Sequence, residues 1–292
     1  MNDLFTILTA SIVAINCALL GVFLLLRKMA MVGDAISHAV LPGIVIAYFF
    51  SGEKGSVLLL LGATLSGVLA TFIIDLFSRK ARVQSDAAIG ITYTLLFAVG
   101  MILIATLMQG NADIDQECVL YGDIALVNMD KIIIDQNLYL GPRALYTELV
   151  AACIVFGSVV FGFKGFKLLS FNEDYARSIG IKTTRWHYYL MGLVALTTVV
   201  SFEVVGAVLV VGFLIIPPAT AHLVTRKLKS MLALACFFGI ISVITGYFIA
   251  VQLNVSITGA MVTVAGIIFT LVFIIVRIKS SNSAQIQSIP GG

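Results

Sequence analysis

Nine apolar runs of bilayer-spanning length leave this chain few ways to fold. They are Leu4–Leu26, Met29–Phe50, Ser56–Phe77, Ala87–Met108, Leu145–Phe163, His187–Phe202, Gly206–Val224, Met231–Val251 and Ile257–Val276. In hydrocarbon every backbone N–H and C=O must find its partner inside the segment, and about 20 residues of helix cross the roughly 30 Å core. The expected fold is an all-α polytopic membrane protein of eight or nine transmembrane helices. The count stays open at Ser201-Phe202-Glu203, where the sixth and seventh runs abut. They are either two spans, or one span and a broken, partly re-entrant piece.

Charged residues make up only 11% of the chain, against about 25% in a soluble domain. Residues 1–279 therefore read as a single membrane domain. The Ser/Gln/Gly-rich stretch 280–292 reads as a disordered cytoplasmic tail. The first run is of full span length and no small-residue cleavage site follows it, so no cleavable signal peptide is expected. No basic stripe with interleaved aromatics is present, which argues against nucleic acid as a partner. The four cysteines lack any CxxC spacing; Cys17, Cys153 and Cys236 fall inside apolar runs and read as small buried residues.

Arg27-Lys28, Arg79-Lys80-Arg82, the segment Lys164–Arg185, Arg226-Lys227-Lys229 and Arg277/Lys279 hold 15 of the 18 Lys and Arg. If every run spans once, all five clusters share one side, and the positive-inside rule makes that side cytoplasmic. The N-terminus is then outside and the C-terminus inside. The longest outer loop, Gln109–Arg143, carries Asp113, Asp115, Glu117, Asp123, Asp130 and Asp135. It is read as a solvated loop that could also attract cations.

Inside the second run stands Gly33-Asp34-Ala35-Ile36-Ser37-His38-Ala39-Val40-Leu41-Pro42-Gly43. Ionisable residues at membrane depth are costly and are functional candidates by default. Asp34 and His38 are four apart and share a helix face. Counted from Met29, His38 is expected about 15 Å into the core, near its middle. Pro42 cannot donate to the His38 carbonyl. A carboxylate, an imidazole and a freed carbonyl suit a borderline divalent cation. The same residues can equally serve as a helix cap and an interhelical hydrogen-bond partner.

A second stretch runs from Glu203 to His222 and contains Pro217-Pro218, which is expected to break its helix against protein or a wet cavity. Glu203 and His222 are second-rank pathway candidates. On the basic side, Asn172 reads as an N-cap, Glu173 and Asp174 suit a helix start, Arg177 its end, and Gly180 the left-handed position beyond. So short a helix is marginal alone and is expected to pack against a cytoplasmic partner or the protein's own surface.

Val32 to Gly43 resembles the signature of the permease subunits of bacterial ABC importers for manganese, zinc and iron. Val205 to Val210 and Leu214 to Ala221 resemble that family's second hallmark, the Asn172–Gly180 helix (with Ala176 at its centre) its coupling helix, and Cys118-Val119-Leu120-Tyr121-Gly122 a loop of its manganese- and iron-type branch. The resemblance implies the fold of the larger, type II importers related to the cobalamin importers, in a bacterial cytoplasmic membrane. It implies a second permease subunit, two cytoplasmic ATPase subunits and an extracytoplasmic metal-binding protein. It places Asp34 and His38 at the metal ligands, with Mn, Zn or Fe as cargo and no permanently bound cofactor. His222 has no counterpart in that pattern.

The chain has no GxxxxGK[ST] loop for ATP hydrolysis, so it is expected to be no enzyme by itself. Rival readings are a proton-coupled secondary metal transporter, which predicts inverted repeats, a membrane-embedded hydrolase, for which neither HExxH nor GxSxG is present, and an ABC permease for an organic cargo.

Overall fold

The apolar runs fold as helices, the conformation in which each segment satisfies its own backbone in lipid. A computed structural model describes residues 2–51, 57–81, 83–107, 124, 131–133, 139–171 and 173–287. Along the chain come α1 (Asn2–Leu26), α2 (Val32–Ala39), α3 (Leu41–Ser51), α4 (Val57–Arg79) and α5 (Ser85–Leu107). The strands β1 (Lys131–Ile133) and β2 (Tyr139–Pro142) follow, then α6 (Arg143–Phe171), α7 (Glu173–Ser178), α8 (Thr183–Val205), α9 (Ala207–Val224), α10 (Leu228–Leu253) and α11 (Ile257–Gln287). With α2 and α3 taken as one bent segment, nine segments among the described residues are long and apolar enough to cross a membrane. The sixth and seventh apolar runs are two of the nine, each a helix of its own.

The junction that left the count open lies at Gly206. α8 runs through Glu203 to Val205, and Gly206 then takes φ +79° and ψ 165° before α9 begins. That conformation is open to glycine and costly to side-chain-bearing residues. The expected break at Pro217-Pro218 is corrected: α9 runs unbroken from Ala207 to Val224 with both prolines inside it. Pro218 cannot donate to the carbonyl of Leu214. That carbonyl instead faces Gly21 of α1 so closely that a Cβ on Gly21 would collide with it. The absent side chain lets α1 pack directly over that freed oxygen, while Pro217 likewise leaves the Phe213 carbonyl without its usual donor.

α1 packs against α6, α9 and α10, and α8 packs against α4 and α6. The core lies among Cys17, Leu20 and Phe23 of α1, Leu190 and Val194 of α8, and Leu209 and Phe213 of α9. On the other flank α3 meets α4 backbone to backbone at Gly43 and Gly62. Ser66 Oγ of α4 donates to the carbonyl of Ala39 across 2.6 Å, and this pins the α2–α3 bend.

Other expectations are refined. The basic segment from Lys164 begins as the end of α6, which continues to Phe171. Part of the outer loop forms a hairpin, in which Lys131 pairs with Pro142 and Ile133 with Tyr139. The tail expected to be disordered from residue 280 continues α11 as far as Gln287. Asn172, the six acidic residues of the outer loop and the Cys118–Gly122 motif lie outside the described residues.

Candidate functional site

Asp34 and His38 both lie on α2, which packs against α4, α5 and α8. One helical turn separates them, so their Cβ atoms stand about 5–6 Å apart on one face. Both side chains are half-buried. His38 lies about 9 Å along the helix from Val32. It therefore stands about a third of the way along the α2–α3 segment, because α2 starts three residues later than the apolar run.

Neither side chain has a hydrogen-bonding or ionic partner among the described residues. Ser37 Oγ bonds the backbone carbonyl of Asp34, not its carboxylate. The His38 ring is flanked by Tyr93 at 5.7 Å and Phe97 at 5.9 Å between centroids, both on α5. These rings limit where the imidazole can point without occupying its nitrogens. Pro42 is buried at the start of α3, and Val40 stays helical at the bend.

The other candidates do not join this pair. Glu203 is exposed near one end of α8, and His222 is exposed in the last turn of α9. About 22 Å of helix lies between the start of α9 and His222. Among the described residues no third His, Cys, Asp or Glu completes a cluster with Asp34 and His38. One copy of the chain thus offers an open two-ligand face.

Of the basic-side candidates, Glu173, Asp174, Ala176 and Arg177 form α7. Arg177 pairs with Glu173 at 2.5 Å and donates through Nε to Thr183 Oγ1 at 3.2 Å, which ties α7 to the start of α8. Gly180 takes φ +82°. Ile181 N–H bonds the Ala176 carbonyl and Gly180 N–H the Arg177 carbonyl, both at 3.0 Å, the Schellman pattern that satisfies a helix end. Phe171, Tyr175 and Ile179 expose apolar surface around this short helix.

The model of the ABC 3 transport family matches residues 4–278. The chain belongs to the ABC 3 transport family. It is 42% identical over 274 residues to the manganese transport system membrane protein MntD of Bacillus subtilis, covering 93% of this chain and 91% of that one. It is 38% identical over 268 residues to the zinc transport system membrane protein TroD of Treponema pallidum, covering 92% and 72%. Among solved structures, PsaBC from Streptococcus pneumoniae in complex with Fab superposes with a TM-score of 0.73 at 32% identity, covering 92% of this chain and 89% of that one.

This ABC 3 family chain also buries two polar groups that sequence reasoning missed. At the basic end, His187 of α8 is 1% exposed and approaches Asp75 of α4 at 3.0 Å through Nε2. The contact is an ion-pair distance without hydrogen-bond alignment. Arg27 lies 2.6 Å from Nδ1. A guanidinium only donates, so Nδ1 is the acceptor and Nε2 carries the hydrogen facing Asp75. Deeper in the bundle, Glu148 of α6 is fully buried and accepts from Asn16 Nδ2 of α1 at 3.3 Å, with Cys17 and Ser201 beside it. Among the described residues neither its Oε1 nor the Ser201 hydroxyl meets a partner in good hydrogen-bond geometry. The rule that singled out Asp34 applies equally to Asp75 and Glu148, both inside or beside apolar runs, and would have flagged them.

Proposed function

We propose that this chain is the membrane-spanning permease subunit of an ABC importer that carries a divalent transition metal into the cytoplasm, with manganese or zinc as the cargo to test first. The observation that carries this reading is the unpartnered Asp34–His38 pair on α2 in a chain related to manganese and zinc transport membrane proteins. Two permease copies, or this chain and a related one, would face two carboxylates and two imidazoles across a central path. That donor set suits Mn²⁺, Zn²⁺ or Fe²⁺ and disfavours Mg²⁺ and Ca²⁺, which prefer all-oxygen shells. An open pair on each copy binds weakly enough to release its ion, as conduction requires.

The basic end faces the cytoplasm in this reading, which puts the N-terminus outside. A pair of ATPase subunits seats α7, and an extracytoplasmic binding protein delivers the metal. Nucleotide-driven movement of α7 passes through the Arg177–Thr183 bond to α8, which packs against α2. The path then opens alternately to the two sides.

The test is uptake of Mn, Zn and Fe by cells lacking their own importers, expressing this chain with its ATPase and binding protein. Wild type should accumulate one metal, and Asp34→Asn and His38→Gln should each reduce uptake at least about tenfold at equal protein level, the loss of one coordinating group. Normal uptake by both variants would overturn the site. Uptake that persists without the ATPase would favour a proton-coupled transporter instead.

A further inference from the structure

A trough opens on the outer surface of the bundle between α6 and α8, near its basic end. It is lined by Gly157, Ser158, Phe161, Gly162, Trp186 and Tyr189, with Arg185 at its mouth, and encloses about 620 Å³. Its shape follows from residue size. Gly157 has open space where a Cβ would stand, whereas Gly162 and Gly165 lack the side chains that would strike the Trp186 ring. The indole therefore lies flat against α6 and forms the floor. Phe161 is 93% exposed and stands up as a wall. Ser158 Oγ and Tyr189 Oη bond each other at 2.8 Å, so these hydroxyls are satisfied across the trough.

The surroundings of this trough are set by the spans themselves. Apolar surface at membrane depth faces acyl chains, and a hollow between two spans fills with them. The mouth is different. Arg185 is exposed, Lys182 stands just before the start of α8, three residues earlier, and Lys164 lies one turn beyond Phe161 on α6; both lysines are exposed. None of the three has an acidic partner among the described residues. Cations at the end of an apolar trough match a phosphate-bearing lipid. Guanidinium binds phosphate with paired N–H donors.

We infer that this trough is a binding site for an anionic glycerophospholipid, one acyl chain lying over Trp186 between Gly157 and Phe161 and the headgroup phosphate held by Arg185 with Lys164 and Lys182 beside it. The site stands on the membrane fold alone and does not depend on which cargo the protein carries.

Trp186 is the only tryptophan in the chain, so its fluorescence reports this site directly. The full chain is reconstituted into vesicles that contain dibrominated phosphatidylglycerol or dibrominated phosphatidylcholine at equal fractions, and quenching is measured. Phosphatidylglycerol should quench several-fold more effectively, and the preference should shrink as ionic strength rises. Arg185→Gln, at an exposed position, should remove the preference while leaving quenching by the chains. Gly157→Leu fills open space and should reduce quenching by both lipids, with an unchanged emission maximum as the check on folding. Equal quenching in the wild type, or an undiminished preference in Arg185→Gln, would overturn the assignment. Absence of quenching by either lipid would show the trough covered by protein and would overturn it too.

Discussion

His187 and Asp75 meet at 3.0 Å across α8 and α4, with Arg27, just past the end of α1, on the opposite ring nitrogen at 2.6 Å. Three helices distant in sequence are joined at one imidazole, one turn from the Thr183 hydroxyl that holds α7. Removing His187 strips a shared partner from two charged groups. Arg27 and Asp75 are half-buried and keep other interactions, so the cost is that of the lost contacts to the ring and of the space it leaves. His187→Ala should therefore destabilise by about 2–3 kcal/mol, read as a lower thermal midpoint in detergent. His187→Gln, which keeps a donor and an acceptor, should recover most of it. Equal loss in both variants would mean that packing, not polarity, sets the cost.

Gly43 and Gly62 bring α3 and α4 into backbone contact. A methyl group on either strikes a main-chain oxygen, which cannot rotate away. Gly43→Ala should cost about 3 kcal/mol, the upper range for overpacking. Gly90→Ala on α5 meets nothing within 4 Å and should be neutral or slightly stabilising, as helix propensity favours Ala. Comparing the thermal midpoints of the two variants separates close packing from helix propensity.

Glu148 accepts from the Asn16 amide, lies beside the Ser201 hydroxyl, and has no cation beside it among the described residues. Glu148→Gln keeps the shape and a polar partner for Asn16 while offering no charge to desolvate. The variant should be as stable as wild type or more stable by about 1 kcal/mol. A clear loss of stability on chemical unfolding would show that the carboxyl makes a contact an amide cannot replace.

Gly180 closes α7 at φ +82°, with no atom crowding the place of a Cβ. The cost of substitution is therefore one of backbone conformation alone. Gly180→Val should cost about 1–2 kcal/mol at that residue and Gly180→Asn much less, since Asn tolerates the left-handed region. Hydrogen exchange of the amides from 173 to 181 should speed up in the valine variant only. In the proposed importer, ATP-driven uptake should fall with it.

The sequence by itself determined the membrane architecture, because backbone hydrogen bonds in lipid are closed within each helix and apolar length reads out directly. Helix signals that act within a few residues were legible for the same reason. Asp34 and His38 share a face by their spacing, and Gly180 ends α7 because only its own φ is at stake. Interactions between helices were not legible. The prolines at 217 and 218 suggested a break, yet α9 stays whole, and the Leu214 carbonyl that Pro218 leaves unpaired packs against Gly21, almost two hundred residues earlier. His187 looked like the edge of an apolar run until α1 and α4 brought Arg27 and Asp75 to it. Period and length are local properties of a chain. The partner of a buried charge or a freed carbonyl depends on which helices lie side by side, and only the tertiary structure decided that.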